Sequence, residues 1–445
     1  MLENLPLVLA FLLIALGARL TEAKSLQALL FLTVNLGFFY WYWIPSLQVV
    51  NFPPPSLLGS FTLRDDIVTE ASWVVLLYHF LSVATLIAAR PLFAQRQQNL
   101  DIQLSYGAMA WAIIGSTFGL FVIRFATEGP GVLLDILSGR ASSREFLTYY
   151  NISEGATQSL LALWDIANIA VSVYLIAYAV HQSRLLSFHG AIAAFALVLS
   201  FLGSGTRSIL VLGIFAVMAG FVFRPTQDQM AQQRQGALSG LRYIYLTFLG
   251  GVIGLASTGI VARFTVFRNE EGNFLSNTLF NNNDMFRELV FIKTYMINYA
   301  PHELGREIYN FFQTPFSFIL PRFLGFDKEI PDHLITFNQV RANIDLLLGQ
   351  GNVFPGLIGD FHMLFGVMGP LMFAAFILAF GIVLRAASGW IPSLAAAMAF
   401  WVTMCANLLI SFRNISGSLA LIALLLLAVI WMWINVVPRR REAMA

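Results

Sequence analysis

The chain has 445 residues, of which 58% are hydrophobic and 11% charged, and a mean hydropathy of +0.73. Soluble domains carry about 25% charged residues, so this composition excludes a soluble multidomain enzyme and predicts an all-α polytopic membrane protein, a single integral membrane domain over 1–445. The net charge of +2 makes no case for a nucleic-acid partner, and the one cysteine, Cys405, permits no disulfide within the chain.

A bilayer-spanning helix needs about 20 mostly apolar residues. About eleven stretches qualify: 3–19, 25–44, 70–88, 103–124, 156–180, 185–203, 206–223, 241–263, 356–384, 390–411 and 416–437. The first lacks a basic leader and reads as a span rather than a signal peptide. Spans 185–203 and 206–223 are joined only by the turn Gly203-Ser204-Gly205-Thr206-Arg207. Between the eighth and ninth spans lies a loop over 264–355, rich in aromatic residues and in charges. Loops of this length are usually functional. This one is expected to form short helices that lie against the membrane face and cover a cavity.

Basic residues orient such a chain. If Arg439, Arg440 and Arg441 are cytoplasmic, every short cytoplasmic loop carries a basic residue, among them Arg19, Arg90, Arg184, Arg224 and Arg385. The N-terminus and the 264–355 loop then lie on the outer face. That face is rich in arginine, where the usual bias would leave few basic residues. Arg124, Arg207, Arg263 and Arg413 sit at the outer ends of different spans, and Arg144, Arg322 and Arg341 lie in outer loops. Each can snorkel to lipid headgroups. As a group they suit a diphosphate, because the guanidinium is a planar fork that stays charged when partly desolvated.

Other polar groups within apolar stretches have plainer readings. Asp165 is expected to be paired, His79 to be a packing histidine, and Asn35 and Asn407 to bond between helices. Arg64, Asp65 and Asp66 read as a solvated turn or, less plainly, as a metal site in the first outer loop. The six histidines show no pair at metal spacing and no cysteine–histidine cluster exists, so no metal or other cofactor is expected. "GSGTRS" lacks the lysine of a nucleotide-binding loop.

Several stretches together resemble the Wzy-type polymerases of O-antigen and exopolysaccharide repeat units. "GSGTRS" is similar to the Gly/Ser-Arg-Ser turn that opens a span in those proteins. "LPRFLGFDKEIPD" (320–332) is similar to their Pro-rich, basic stretch in the large loop. "GLIGDFHMLFGVMGP" (356–370) resembles their acid, aromatic and Gly-x-x-Gly sequence, with Asp360, Gly366 and Gly369 in those places and Asp where Glu is commoner. Arg144 and Gly155 fit an Arg-x10-Gly motif, while Arg341 lacks a glycine at that spacing.

The resemblance implies a GT-C-like glycosyltransferase of the bacterial inner membrane with its active site on the periplasmic face and 264–355 as the large periplasmic loop. Its donor and acceptor would be glycans on undecaprenyl diphosphate, with membrane lipids around it and a chain-length regulator and a flippase as partners. Arg207 and Arg144, then Arg322, Arg341, Arg413 and Arg124, would hold the diphosphate. Asp360, with His362 and Glu154 behind it, would serve as base or orienting acceptor; Asp360 could instead cap a helix or bridge to an arginine. Residues two apart on a helix point to different faces, so Asp360 and His362 are not expected to pair. An O-antigen ligase shares this layout. A transporter or flippase of lipid-linked sugar would favour inverted repeats and broken helices, and the sequence shows no repeat.

Overall fold

The structure is a computed structural model. It describes residues 4–21, 25–51, 65–93, 106–128, 285–317, 331–344, 355–389 and 394–412, with a few helical positions within 164–176 and 213–218. All regular structure among them is helical. Three segments are long and apolar enough to cross a bilayer, Leu26–Leu47, Asp66–Ala88 and Gly356–Ser388. The described residues are thus all helical, and their three candidate spans mark a membrane protein.

Helix α1 (Leu5–Leu20) opens with a proline in its first turn, where a missing N–H costs nothing. Helix α2 (Leu26–Phe38) is capped by Ser25, whose hydroxyl accepts from the Ala28 N–H at 3.1 Å. Every residue of α2 is buried, and it forms the central post of the bundle. It continues through a five-residue π-helical turn, Phe39–Trp43, into α3 (Ile44–Asn51). The wider turn accommodates "FYWYW" and turns two polar aromatic tips to the last described helix. Trp41 Nε1 donates to the Leu409 carbonyl at 3.0 Å, and the Tyr42 hydroxyl to the Phe412 carbonyl at 3.3 Å.

Helix α4 (Asp65–Ala88) packs against α1 and α2. Asp65 and Asp66 are therefore its first residues and not a free turn. The Asp66 carboxylate, in the first turn, suits the positive end of the helix dipole. A short α5 (Arg90–Phe93) and α6 (Tyr106–Glu128) follow. Ser116 of α6 accepts from Trp164 Nε1 at 2.6 Å and donates to Asn168 at 2.7 Å, which ties α6 to the predicted fifth span. The large loop contributes α7 (Met285–Tyr295), α8 (Leu304–Ser317) and α9 (Asp332–Ile344). The described chain ends with α10 (Gly356–Phe365), α11 (Gly369–Ser388) and α12 (Leu394–Ser411).

The predicted spans 3–19, 25–44, 70–88, 103–124 and 390–411 match α1, α2 with its extension, α4, α6 and α12 within a few residues. The predicted spans 185–203, 241–263 and 416–437 lie outside the described residues, and 156–180 and 206–223 do so for the most part.

The stretch 356–384 differs from its expected form as one straight span. Gly366–Met368 forms a single 3₁₀ turn that breaks it into α10 and α11. A straight helix would hold Phe361 and Phe376 about 22 Å apart; their rings meet at 5.6 Å. The chain therefore turns sharply there. Gly366 takes φ +55°, a conformation that favours glycine, and a Cβ on Gly369 would meet the Phe361 carbonyl at 2.9 Å and the Tyr78 hydroxyl closer still. At about 15 Å, α10 is too short to cross a bilayer. It lies across the end of the bundle instead. Its Ile358 N–H donates to Tyr42 at the end of α2, and the Gly369 that follows it sits beside Tyr78 of α4. The 20-residue α11 is the part long enough to span.

One of the loop helices is packed more deeply than an element lying against the membrane face would be. In α7 the run Met285–Lys293 is buried except for Arg287, against α4, α10 and α3. Lys293 reaches Glu70 of α4 at 2.6 Å.

Candidate active site

Among the described residues the two ends of the bundle differ in charge. At one, Gln27 at the start of α2 donates to the Leu86 carbonyl near the end of α4 at 2.7 Å. Arg19, Arg90 and Arg385 sit in the last turns or junctions of helices at this end. The other end is about 24 Å away along α2. There Tyr42, Phe412 and the first turn of α10 meet, and Leu357 N–H donates to the Phe412 carbonyl at 3.1 Å. The loop helices α7, α8 and α9 cover this second end through α10.

Asp360 lies in the second turn of α10 and is 3% exposed. Its neighbours on α10 explain its direction. Phe361 packs into a cluster with Phe311 of α8 and Phe373 and Phe376 of α11. That cluster holds α10 against α8, and Asp360 is left facing α9. There it meets His333, whose Nε2 lies 3.5 Å from Asp360 Oδ1. Both atoms are buried without a hydrogen-bond partner, so the approach is an ion-pair distance and not a hydrogen bond.

His333 itself is held from its other side. Its Nδ1 is 2.9 Å from Oε2 of Glu307, on α8. The second oxygen of Glu307 accepts from the Asp332 N–H at 2.9 Å. One carboxylate thus satisfies a free donor at the start of α9 and fixes the histidine next to it, and its charge sits at the positive end of that helix. Phe311 stacks obliquely on the His333 ring at 5.8 Å. The result is a line of three buried ionisable groups from three helices, Glu307–His333–Asp360.

The electrostatics follow from this line. Burial disfavours the charged form of His333, but the flanking Asp360 and Glu307 outweigh it and hold its pKa above the ordinary imidazole value. Burial likewise opposes the Glu307 charge, and the hydrogen bond and attraction of His333 outweigh it, so its pKa sits below the ordinary carboxylate value. Tyr299, in the connection before α8, is pushed up to about 12 by burial and by the Glu307 and Asp332 carboxylates.

The remaining sequence-predicted residues fare differently. His362 is half-buried with an unpartnered Nδ1, and its charged neighbours are Lys293 and Glu70. It therefore faces away from the Asp360 line, as the spacing on the helix required. Arg124 and Arg341 fall on α6 and α9, but their side chains lie outside the described residues, as do Arg144, Arg207, Arg322, Arg413, Glu154 and Asp165 altogether. Sequence reasoning missed Glu307 and His333. The one local signal is that His333 shares a helix face with the buried Phe337, four residues on.

His79 has the packing role expected of it. Its Nδ1 accepts from Trp43 Nε1 at 3.2 Å, its Nε2 donates to Asn35 Oδ1 at 2.7 Å, and Phe38 stacks on its ring at 4.5 Å. Asn35 thereby bonds across from α2 to α4, as expected. Asn407 donates to the Thr403 carbonyl of its own helix.

Among the described residues no group of three His, Cys, Asp or Glu side chains is arranged to hold a metal ion. The line of three fails for a geometric reason: the imidazole stands between the carboxylates, so the three cannot converge on one point. Compared with protein-family models, with curated proteins and with solved structures, the chain matches none.

Proposed function

We propose that this chain polymerises oligosaccharide repeat units carried on undecaprenyl diphosphate, at the periplasmic face of a bacterial inner membrane. The observation that carries the reading is the burial of Asp360 at the bundle end opposite Arg19, Arg90 and Arg385, under helices of the large loop. A carboxylate so placed is suited to an outer-leaflet acceptor, and the resemblance of 356–370 to the Wzy-type polymerases puts it in their acidic position.

In this reading the acceptor hydroxyl gives its proton to the Asp360 carboxylate as its oxygen bonds to the anomeric carbon of the donor. The bond from that carbon to the diphosphate oxygen breaks, and its electron pair leaves with undecaprenyl diphosphate. Arg207 and Arg144, with Arg322, Arg341, Arg413 and Arg124, are the arginines proposed to stabilise the charge that develops on that leaving group. No nucleotide is consumed.

Deletion of the gene in its own host tests the reading. Single-repeat glycans in place of long surface polysaccharide support it. Accumulation of full-length lipid-linked polymer would make the protein a ligase, and unchanged surface polysaccharide would end both readings.

A further inference from the structure

The Glu307–His333–Asp360 line contains one unfinished contact. Glu307 and His333 are joined at 2.9 Å, whereas His333 Nε2 and Asp360 Oδ1 stand at 3.5 Å, both buried and both without a hydrogen bond. Leaving two such atoms unpaired is unfavourable, and a movement of about half an ångström would join them. Hydrogen bonds of this kind are often long before substrate arrives and tighten once it is bound. The three groups also come from three different helices. Glu307 and His333 belong to the loop helices α8 and α9, and Asp360 to the helix that lies across the bundle end.

We infer that Glu307 and His333 are positioning residues for Asp360: His333 holds one oxygen of the carboxylate and leaves the other for the acceptor hydroxyl, while Glu307 fixes the ring. The inference rests on the reading of Asp360 as the acceptor's base. It gives the large loop a chemical part in the reaction, because the loop must be docked for the line to form. As an imidazolium the ring donates Nδ1–H to Glu307 and turns Nε2–H toward Asp360, to which it can donate once the gap closes. Among the described residues, the other ionisable groups near the line include Asp332 on α9 itself, Tyr299 in the connection before α8 and Tyr42 at the end of α2, which feels the Asp360 charge. Lys293, Glu70 and His362 form a separate set on the other side of α10.

Two measurements on the full-length protein test it. The first needs no substrate. In protein labelled with [15N]histidine and purified in detergent, the His333 imidazole is assigned by its loss in His333→Gln and titrated by NMR. Asp360→Asn and Glu307→Gln preserve shape and remove charge, and each is expected to lower the titration midpoint of His333. A midpoint unchanged in Asp360→Asn would overturn the inference whatever the enzyme does.

The second measurement is the surface-polysaccharide ladder of cells that carry each variant at normal protein level. Glu307→Gln and His333→Gln are expected to cut long polymer by about tenfold or more, while His302→Gln, an exposed histidine before α8, leaves the ladder unchanged. If Asp360→Asn abolishes polymer and both loop variants make it normally, the positioning role falls and the base assignment stands. If Asp360→Asn itself makes normal polymer, the base assignment falls and the inference with it.

Discussion

Glu307 and His333 lie 26 residues apart in sequence and 2.9 Å apart in space, and their bond docks α9 onto α8. His333 carries a raised pKa and Glu307 a lowered one. The two shifts stabilise the docked pair at different ends of the pH scale. The histidine's share is complete below the ordinary imidazole pKa and is lost as pH rises through its raised value. The glutamate's share is complete above the ordinary carboxylate pKa and is lost as pH falls through its lowered value. Docking of α8 and α9 is therefore expected to be firmest in mildly acidic to neutral solution and to loosen in alkali. Amide hydrogen exchange over 304–344, corrected for the intrinsic pH dependence of exchange, checks this. Protection that rises steadily with pH would contradict it.

Gly369 has no room for a side chain. A methyl group there would meet the Phe361 carbonyl and the Tyr78 hydroxyl. Gly369→Ala is expected to destabilise the turn between α10 and α11 by about 1–3 kcal/mol and to shift Asp360 with it. Gly366→Ala, which places a side chain at φ +55°, is expected to cost roughly 1–2 kcal/mol. Thermal unfolding in detergent, followed by tryptophan fluorescence, reads both. A wild-type midpoint for Gly369→Ala would show that the turn is looser than its contacts indicate.

His79 joins two helices, with both ring nitrogens engaged. His79→Ala leaves Trp43 Nε1 and Asn35 Oδ1 without their partner and removes a ring that stacks on Phe38. A loss of about 1–3 kcal/mol is expected for the orphaned groups. Protein that survives this loss should keep its activity per folded molecule. Activity lost at normal stability would give His79 a role beyond packing.

Cys405 is buried and free. A thiol there should resist maleimide in the folded protein and react once detergent or heat opens the bundle. Rapid labelling under native conditions would contradict the packing of α12 against α2.

The long apolar elements were legible in the sequence because their signal is local. α1, α2 with its extension, α4, α6 and α12 each fall within a few residues of their expected limits as helices, and of these α2 with its extension and α4 are long and apolar enough to span. The break between α10 and α11 was hidden for the opposite reason. Gly366-Val367-Met368-Gly369 is as apolar as the helices on either side, so hydropathy runs through it without a dip. The glycines were visible, but only the approach of Tyr78 and Phe361 explains them.

The site was half legible. Asp360 was singled out by the resemblance of 356–370 to a family's acidic position. His333 and Glu307 were not, because their pairing crosses two helices and the intervening 318–330, and no local spacing records it. The large loop was expected to lie against the membrane face, and the structure buries most of α7 within it. Glu288 is 0% exposed, and Lys293 is tied to Glu70.

The most direct test of the central claim is the surface polysaccharide of cells whose only copy of the gene carries Asp360→Asn. The change keeps the size of the side chain and removes its capacity to take a proton. With the protein folded and present at normal level, cells should show single-repeat products and no ladder of longer chains, a loss on the order of 10²–10⁴-fold in the chemical step. A ladder of normal length and intensity would contradict the account.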